Sequence, residues 1–264
     1  GPLRTGATHD EGVTVTSSRT VLITGGAGGI GQGIARAFIE AGDRVILADR
    51  DAAAVSAAAE ALGANASGLA LDITDAAAVT AAFAQPTREG GAGGVDVLVN
   101  NAGILSVHGA VTELDPEAYR SILEVNVIGT FTMIRAFAQH RIAAGGGGAI
   151  VNISSIGGRQ PTPGMGAYES SKAAVDSVTR WAAIELAAHG IRVNAVAPGP
   201  VLTPMLEMGM PEGSPAREAW SSRIPLGDLA RVGDIAPAVV FLAGGGAAHI
   251  TGVSLAVDGG QLLT

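Results

Sequence analysis

Thr20-Val21-Leu22-Ile23-Thr24-Gly25-Gly26-Ala27-Gly28-Gly29-Ile30-Gly31 is the stretch whose reading decides the fold. Its first residues form a short apolar run, as a strand buried on both faces requires. A helical pattern follows the glycines at once, with Ile34, Ala35, Phe38 and Ile39 recurring at spacings of about 3 to 4. Strand, glycine turn and helix in that order suit a dinucleotide. Glycine lets the backbone approach a pyrophosphate, and the first N–H groups of the helix face the anion. Gly25, Gly28, Gly29, Ile30 and Gly31 are therefore candidate cofactor-binding residues.

With 39 glycines in the chain, the flanks must support that reading. Val45-Ile46-Leu47-Ala48 reads as the next strand, and Asp49 closes it about 20 residues beyond the glycines. A carboxylate there hydrogen-bonds the adenosine ribose of NAD and repels the 2′-phosphate of NADP. Two unit charges about 4 Å apart at an effective dielectric near 20 cost about 4 kcal/mol, a discrimination of several hundredfold. NAD(H) is the expected cofactor. Arg50 beside the acid can pair with a phosphate, which keeps NADP(H) as the alternative.

Tyr168 and Lys172 carry the chemistry. Four residues apart on a helix, they share one face. A phenol titrates near 10, and a neighbouring ammonium is expected to favour the phenolate and pull it towards neutrality. A second hydroxyl, Ser155 or the adjacent Ser154, can hold a carbonyl or alcohol oxygen beside it. Side chains alternate along a strand, so the two serines face different ways.

Thr24-Gly25-x-x-x-Gly29-x-Gly31, Asn100-Asn101-Ala102-Gly103, Asn126, Ser155 and Tyr168-x-x-x-Lys172 occur in that order, followed by Pro198-Gly199 with Thr203 and by Val257-Asp258-Gly259-Gly260. Together they resemble the short-chain dehydrogenase/reductase family over roughly residues 19 to 262. The resemblance implies that Tyr168 is the general acid–base group and that Lys172 lowers its pKa while bonding the nicotinamide ribose. Ser155, chosen over Ser154 on the family spacing, would orient the substrate oxygen. Asn126 would hold a water that passes protons from Lys172 towards solvent. Asp72 and Ile73 match positions that contact adenine, while Asn100, Ala102 and Gly103 match the wall beside the adenosine ribose. Pro198 and Gly199 extend the cofactor-binding set, with the Val201 backbone and the Thr203 hydroxyl holding the carboxamide.

The activity implied is hydride transfer between nicotinamide and a secondary alcohol or ketone. An NADP(H)-dependent 3-oxoacyl reductase-like enzyme is the alternative, as is a non-catalytic nucleotide-binding relative. The intact Ser155, Tyr168 and Lys172 set speaks against the second. Sugar-nucleotide dehydration or epimerisation belongs to longer relatives with an additional domain.

Strand and helix patterns alternate from end to end of the 264 residues. The expected fold is α/β, a single-domain doubly wound parallel sheet of about seven strands with helices on both faces, spanning 19–264. Residues 1–18 are polar and expected to form a disordered leader. Residues 202–228 lose all periodicity and are expected to be an irregular substrate lid, with Met205, Leu206, Met208, Met210 and Trp220 as its apolar surface. Apolar residues make up 47% and aromatics 3%, so the core must be built of Ala, Val, Ile and Leu. A helix starting at Asp115-Pro116-Glu117 should carry Asn126 and run to about Ala144. In relatives, that helix and the Tyr168 helix pair across a twofold axis, which implies a homo-oligomer, dimer or homotetramer.

The chain contains no cysteine, and its five histidines show no ligand spacing, so no metal is expected. A net charge of −8 disfavours nucleic acid and anionic membranes. No uninterrupted apolar stretch reaches about 18 residues, and a cytoplasmic location is expected. The substrate is expected to be a small alcohol or ketone, with Arg159, Gln160 and His108 as the polar handles of its pocket.

Overall fold

In the computed structural model, which describes residues 18–85 and 91–264, the opening stretch forms strand β1 (Thr20–Thr24) and helix α1 (Gly29–Glu40). Strand β2 (Arg44–Asp49), helix α2 (Ala52–Leu62) and strand β3 (Ala66–Ala70) follow. Next come α3 (Ala76–Ala84), β4 (Val97–Asn100), α4 (Pro116–Leu123), α5 (Thr130–Ala143) and β5 (Gly148–Ile153). The Tyr168 helix is α6 (Gly166–Leu186), leading to β6 (Ile191–Pro198). The chain ends with β7 (Val201–Leu202), α7 (Pro204–Gly209), α8 (Pro215–Ser221), β8 (Ala230–Arg231), α9 (Val232–Ala243) and β9 (Ser254–Val257). The leader expected over 1–18 lies outside the described residues except for Ser18.

Seven strands form one parallel sheet in the order β3-β2-β1-β4-β5-β6-β9, while β7 and β8 pair separately. The order reverses between β1 and β4, and that reversal opens a crevice at the carboxyl ends of the strands. Alternation along β1 divides the core in two. Val21 and Ile23 face a layer containing Ile34 and Phe38 of α1 with Ile235 and Val239 of α9. Leu22 faces the opposite layer, with Phe83 of α3 and Met133 and Phe137 of α5. Carboxylates start several helices by accepting from free backbone N–H groups. Asp51 caps α2, Asp75 caps α3 through Ala77 and Ala78, and Asp115 caps α4 just before Pro116.

Two elements differ from the sequence expectation. The helix expected to run unbroken from Pro116 contains a π-helical stretch, Glu124–Gly129, which centres on Asn126. A wider turn of this kind leaves no trace in apolar periodicity. The span Pro116–Ala143 contains an 18-residue window of mean hydropathy 1.3, long and apolar enough to cross a bilayer, yet half of that window is buried inside the fold. The second difference is in 202–228, which is not irregular throughout. Thr203 and Ser214 each cap a short helix with proline in its first turn.

Phe137 is fully buried and meets Phe83 edge to face at 6.4 Å. Phe137→Ala is expected to cost about 3–5 kcal/mol, measured as a lowered urea midpoint at unchanged slope.

Candidate active site

The glycine loop sits where β1 and β4 part. Gly25 is left-handed with φ 63°, and a Cβ on it would stand 2.8 Å from the Ala102 Cα. A Cβ on Gly31 would stand 2.4 Å from the Gly25 carbonyl oxygen. No side chain caps α1 and no acid occupies its first turn, so its leading N–H groups stay open to an anion. Gly28 is the N-cap residue itself, and Gly29 and Ile30 open the helix. These features fit the pyrophosphate of a dinucleotide.

Asn101 ties the loop to the end of β4. Its Nδ2 donates to the Thr24 and Gly25 carbonyls at 3.1 and 3.0 Å, while Thr24 Oγ1 accepts from the backbone of Asn101 and Ala102. The preceding residue turns the other way: the Asn100 side chain is buried and donates to Asn152 Oδ1 at 2.8 Å, so any contact it makes with a ribose is through its backbone. Alternation at the strand end turns it into the fold and leaves Asn101 on the cleft.

Asp49 Oδ2 accepts from Ala27 N, inside the glycine loop, at 3.2 Å. Arg50 is exposed beside it. Asp72 accepts from the backbone and hydroxyl of Thr74, and these bonds, aided by the Arg50 charge, hold its carboxyl below the usual range. The Ile73 side chain is buried, and a Cβ on Gly129 would stand 2.7 Å from it.

A cleft of about 530 Å³ opens at the same rim. Ser155, Tyr168 and Lys172 line it together, with Ile30 and Gly103 on the glycine-loop side. Pro198, Gly199, Val201 and Thr203 line it as well. Thr203 Oγ1 accepts from Leu206 N, which leaves its O–H free to donate. From the lid segment, Leu206, Met210 and Trp220 reach the cleft, whereas Met208 is 81% exposed and not part of the lining. The Met205 side chain lies outside the described set.

Ser154 and Ser155 do part ways. The Ser154 hydroxyl is spent on the Lys172 carbonyl at 3.2 Å, and Ser155 Oγ accepts from Gly157 N at 3.1 Å. Asn126 is buried, with Oδ1 accepting from Ile104 N and Nδ2 donating to Ile104 O and Ser171 Oγ. Both amide hydrogens are committed to protein, so a water of the kind the resemblance implies would donate to an oxygen of this residue, where Oδ1 keeps one lone pair beyond the Ile104 N–H.

Electrostatics in the cofactor-free site run against the expected direction. Burial pushes the Tyr168 phenol up; the Ser155 hydroxyl pulls it partly back and the Glu169 carboxylate adds to the rise. Burial lowers the Lys172 ammonium to about 8, against the opposing pull of Asp176. The lysine Nζ donates to the Ile153 carbonyl at 2.8 Å and stands 5.6 Å from the centre of the phenol ring. Spacing puts the two groups on one face, but loss of water is the largest influence on each.

Asp176 is itself braced. Ser254 Oγ donates to it at 2.8 Å, and Arg159 Nε lies 3.7 Å away while the same guanidinium donates to the Ser254 carbonyl. Arg159 therefore serves this network and is absent from the cleft lining, contrary to its reading as a substrate handle. Gln160 and His108 do line the cleft. Glu169 and Gln261, both buried, line it too and were missed. The one available signal for Gln261 was a polar residue following two glycines.

Comparison with known proteins follows the same outline. A family model described as enoyl-(acyl carrier protein) reductase matches residues 25–261. A galactitol 2-dehydrogenase (L-tagatose-forming) of Cereibacter sphaeroides is 43% identical, over 90% of this chain and 92% of its own. A sorbitol dehydrogenase of the same organism is 36% identical over 93% and 98%. Among solved structures, a 3-ketoacyl-(acyl-carrier-protein) reductase from Brucella melitensis complexed with NADH superposes with TM-score 0.83 at 37% identity, covering 92% of this chain and 98% of that one. ElxO with NADP bound gives TM-score 0.86 at 34% identity, over 94% and 100%.

Asp176→Asn removes the charge that holds the Lys172 ammonium up, so the lysine should lose its proton below pH 8 rather than near it. The pH dependence of kcat/KM for the oxidised cofactor reads this directly, because it reports groups of the free protein. An unmoved midpoint would show that Asp176 does not reach the lysine.

Proposed function

The chain belongs to the short-chain dehydrogenase/reductase family, and on that premise we propose an NAD(H)-preferring enzyme that oxidises a secondary alcohol, or reduces the ketone, with Tyr168 as acid–base group. It is an oxidoreductase of the alcohol–ketone class, and its cofactor is NAD(P). The observation that carries the finer reading is the convergence of Ser155, Tyr168 and Lys172 on one cleft beside the glycine loop.

Bound oxidised nicotinamide supplies the hydride acceptor and a positive charge that favours the phenolate. Ser155 donates to the substrate oxygen and fixes its position. Tyr168 takes the hydroxyl proton as the alcohol is oxidised and returns it in the reverse direction. Lys172, anchored on the Ile153 carbonyl, holds an ammonium beside the phenol while protonated. Asp49, turned towards the glycine loop, supports NAD over NADP through repulsion of a 2′-phosphate. The names of the relatives support polyols or cyclic secondary alcohols as substrates. Residues 202–228 act as the substrate lid of a domain spanning 19–264, a reading supported by Leu206, Met210 and Trp220 on the cleft.

A homo-oligomer, dimer or tetramer, is part of the proposal. Trp181 and Ile184 of α6 are exposed, and Trp181 stacks on Phe131 of α5 with centroids 5.7 Å apart. Together they present an apolar face of the kind a second copy covers.

Tyr168→Phe should lower turnover by about 10²–10⁴-fold while NADH still binds, and retention of most activity would overturn the mechanism. Asp49→Ser should cut the NAD-to-NADP ratio of kcat/KM by roughly 10- to 100-fold. Ile184→Glu should reduce the particle mass in light scattering; an unchanged mass would place the assembly elsewhere.

A further inference from the structure

We infer that Gln261, together with Glu169, reads a second hydroxyl on the substrate, so that the chain selects polyhydroxylated alcohols over simple ones. This rests on the oxidoreductase reading above and names the substrate class of that same cleft.

Gln261 lines the cleft and is only 2% exposed. Among the described residues its Oε1 meets no donor. Buried acceptors are almost always paired, and a ligand is one way to supply the missing partner. Exchanging the oxygen and nitrogen of the amide leaves an unpaired donor in the same place, so the unmet need persists either way. A hydroxyl both donates and accepts, and it satisfies either orientation.

The position is built. Asp258 Oδ1 accepts from Gly260 N at 3.0 Å and Oδ2 from Leu262 N at 2.9 Å, which fixes the backbone on both sides of Gln261. Gly259 and Gly260 adopt φ 61° and 89°, left-handed values that let the turn fold back after β9. The Asp258-Gly259-Gly260 run thus has a physical purpose: it delivers the glutamine to the cleft in a set place.

Glu169 supplies the second acceptor. It is buried, lines the cleft, and both its oxygens take a hydrogen bond from one donor, Thr162 N, at 2.9 Å. A carboxylate offers about four lone-pair sites, so capacity is left for a hydroxyl. The same negative charge repels anionic groups, which argues against a phosphate-bearing thioester lying along this wall.

The test is a calorimetric titration of galactitol and of cyclohexanol into the NADH-saturated protein, for the unsubstituted chain, Gln261→Leu and Gln261→Glu, with turnover measured beside it. Gln261→Leu should weaken galactitol about 3- to 10-fold and leave cyclohexanol and NADH unchanged. Gln261→Glu keeps an acceptor and should recover part of that loss. Equal loss for both alcohols, loss of NADH affinity, or an undiminished galactitol preference in Gln261→Leu overturns the inference. If galactitol affinity follows the expected pattern while no alcohol is turned over, the glutamine assignment stands and the hydride-transfer reading falls. A melting curve for each variant confirms that the fold is intact.

Discussion

Every strand of the main sheet runs in the same direction, and that constraint places the chemistry. Parallel strands deliver their carboxyl ends to one rim. Thr24, Asp49, Asn100, Ile153 and Pro198 all end strands there, so residues far apart in the chain emerge side by side. The reversal of strand order between β1 and β4 then opens a crevice at the middle of that rim. Asn101 and Thr24 stitch its two lips together through four hydrogen bonds, which keeps the glycine loop in place before any cofactor arrives. Small residues in the loop are a steric requirement here, because Gly25 and Gly31 sit where a Cβ would strike backbone.

The same enclosure sets the proton chemistry. Removing water from a phenol and an ammonium together disfavours the charged form of each, so the phenol rises while the lysine falls to about 8. In the cofactor-free protein the lysine is therefore the first of the two to lose its proton as pH rises. A tyrosine base in this setting needs a positive charge delivered with the reaction partner, which ties proton transfer to cofactor occupancy. The fold supplies Asp176 as a counterweight, and Ser254 of β9 and Arg159 hold that carboxylate beneath the helix. Sheet edge and catalytic helix are thus linked electrostatically as well as by packing.

Much of this was legible in the sequence because it depends on local pattern. The run Val21 to Ile23 announces a doubly covered strand, and Asp115 before Pro116 announces a helix start that the structure contains. Other features depend on distance and burial, which spacing does not encode. Tyr168 and Lys172 share a face, yet the sign of the phenol's displacement follows from lost solvent. Asn100 and Asn101 are adjacent and chemically identical, and only the end of β4 decides which one meets the glycine loop. The π-helical stretch at Asn126 breaks a 3.6-residue period that apolar residues still satisfy. Thr203-Pro204 and Ser214-Pro215 were readable as helix starts, but helices of 6 and 7 residues are too short to build a periodic face.

The cleft is assembled from two kinds of segment, and that division bears on specificity. Ser155 stands on the turn after β5, and Tyr168 and Lys172 on α6, elements whose packing against the sheet fixes their geometry. Further walls come from the segment after β4, with Ile104, Leu105 and His108, and from α7, α8 and the turn after β9, with Leu206, Trp220 and Gln261. Gln261 reaches the cleft from nearly the end of the described chain, held by a turn rather than a core. A protein built this way can change the groups that meet the far end of a substrate without disturbing the phenol or its lysine. The C-terminal segments thus add walls to a cleft whose other walls, His108, Gln160 and Glu169 among them, stand earlier in the chain.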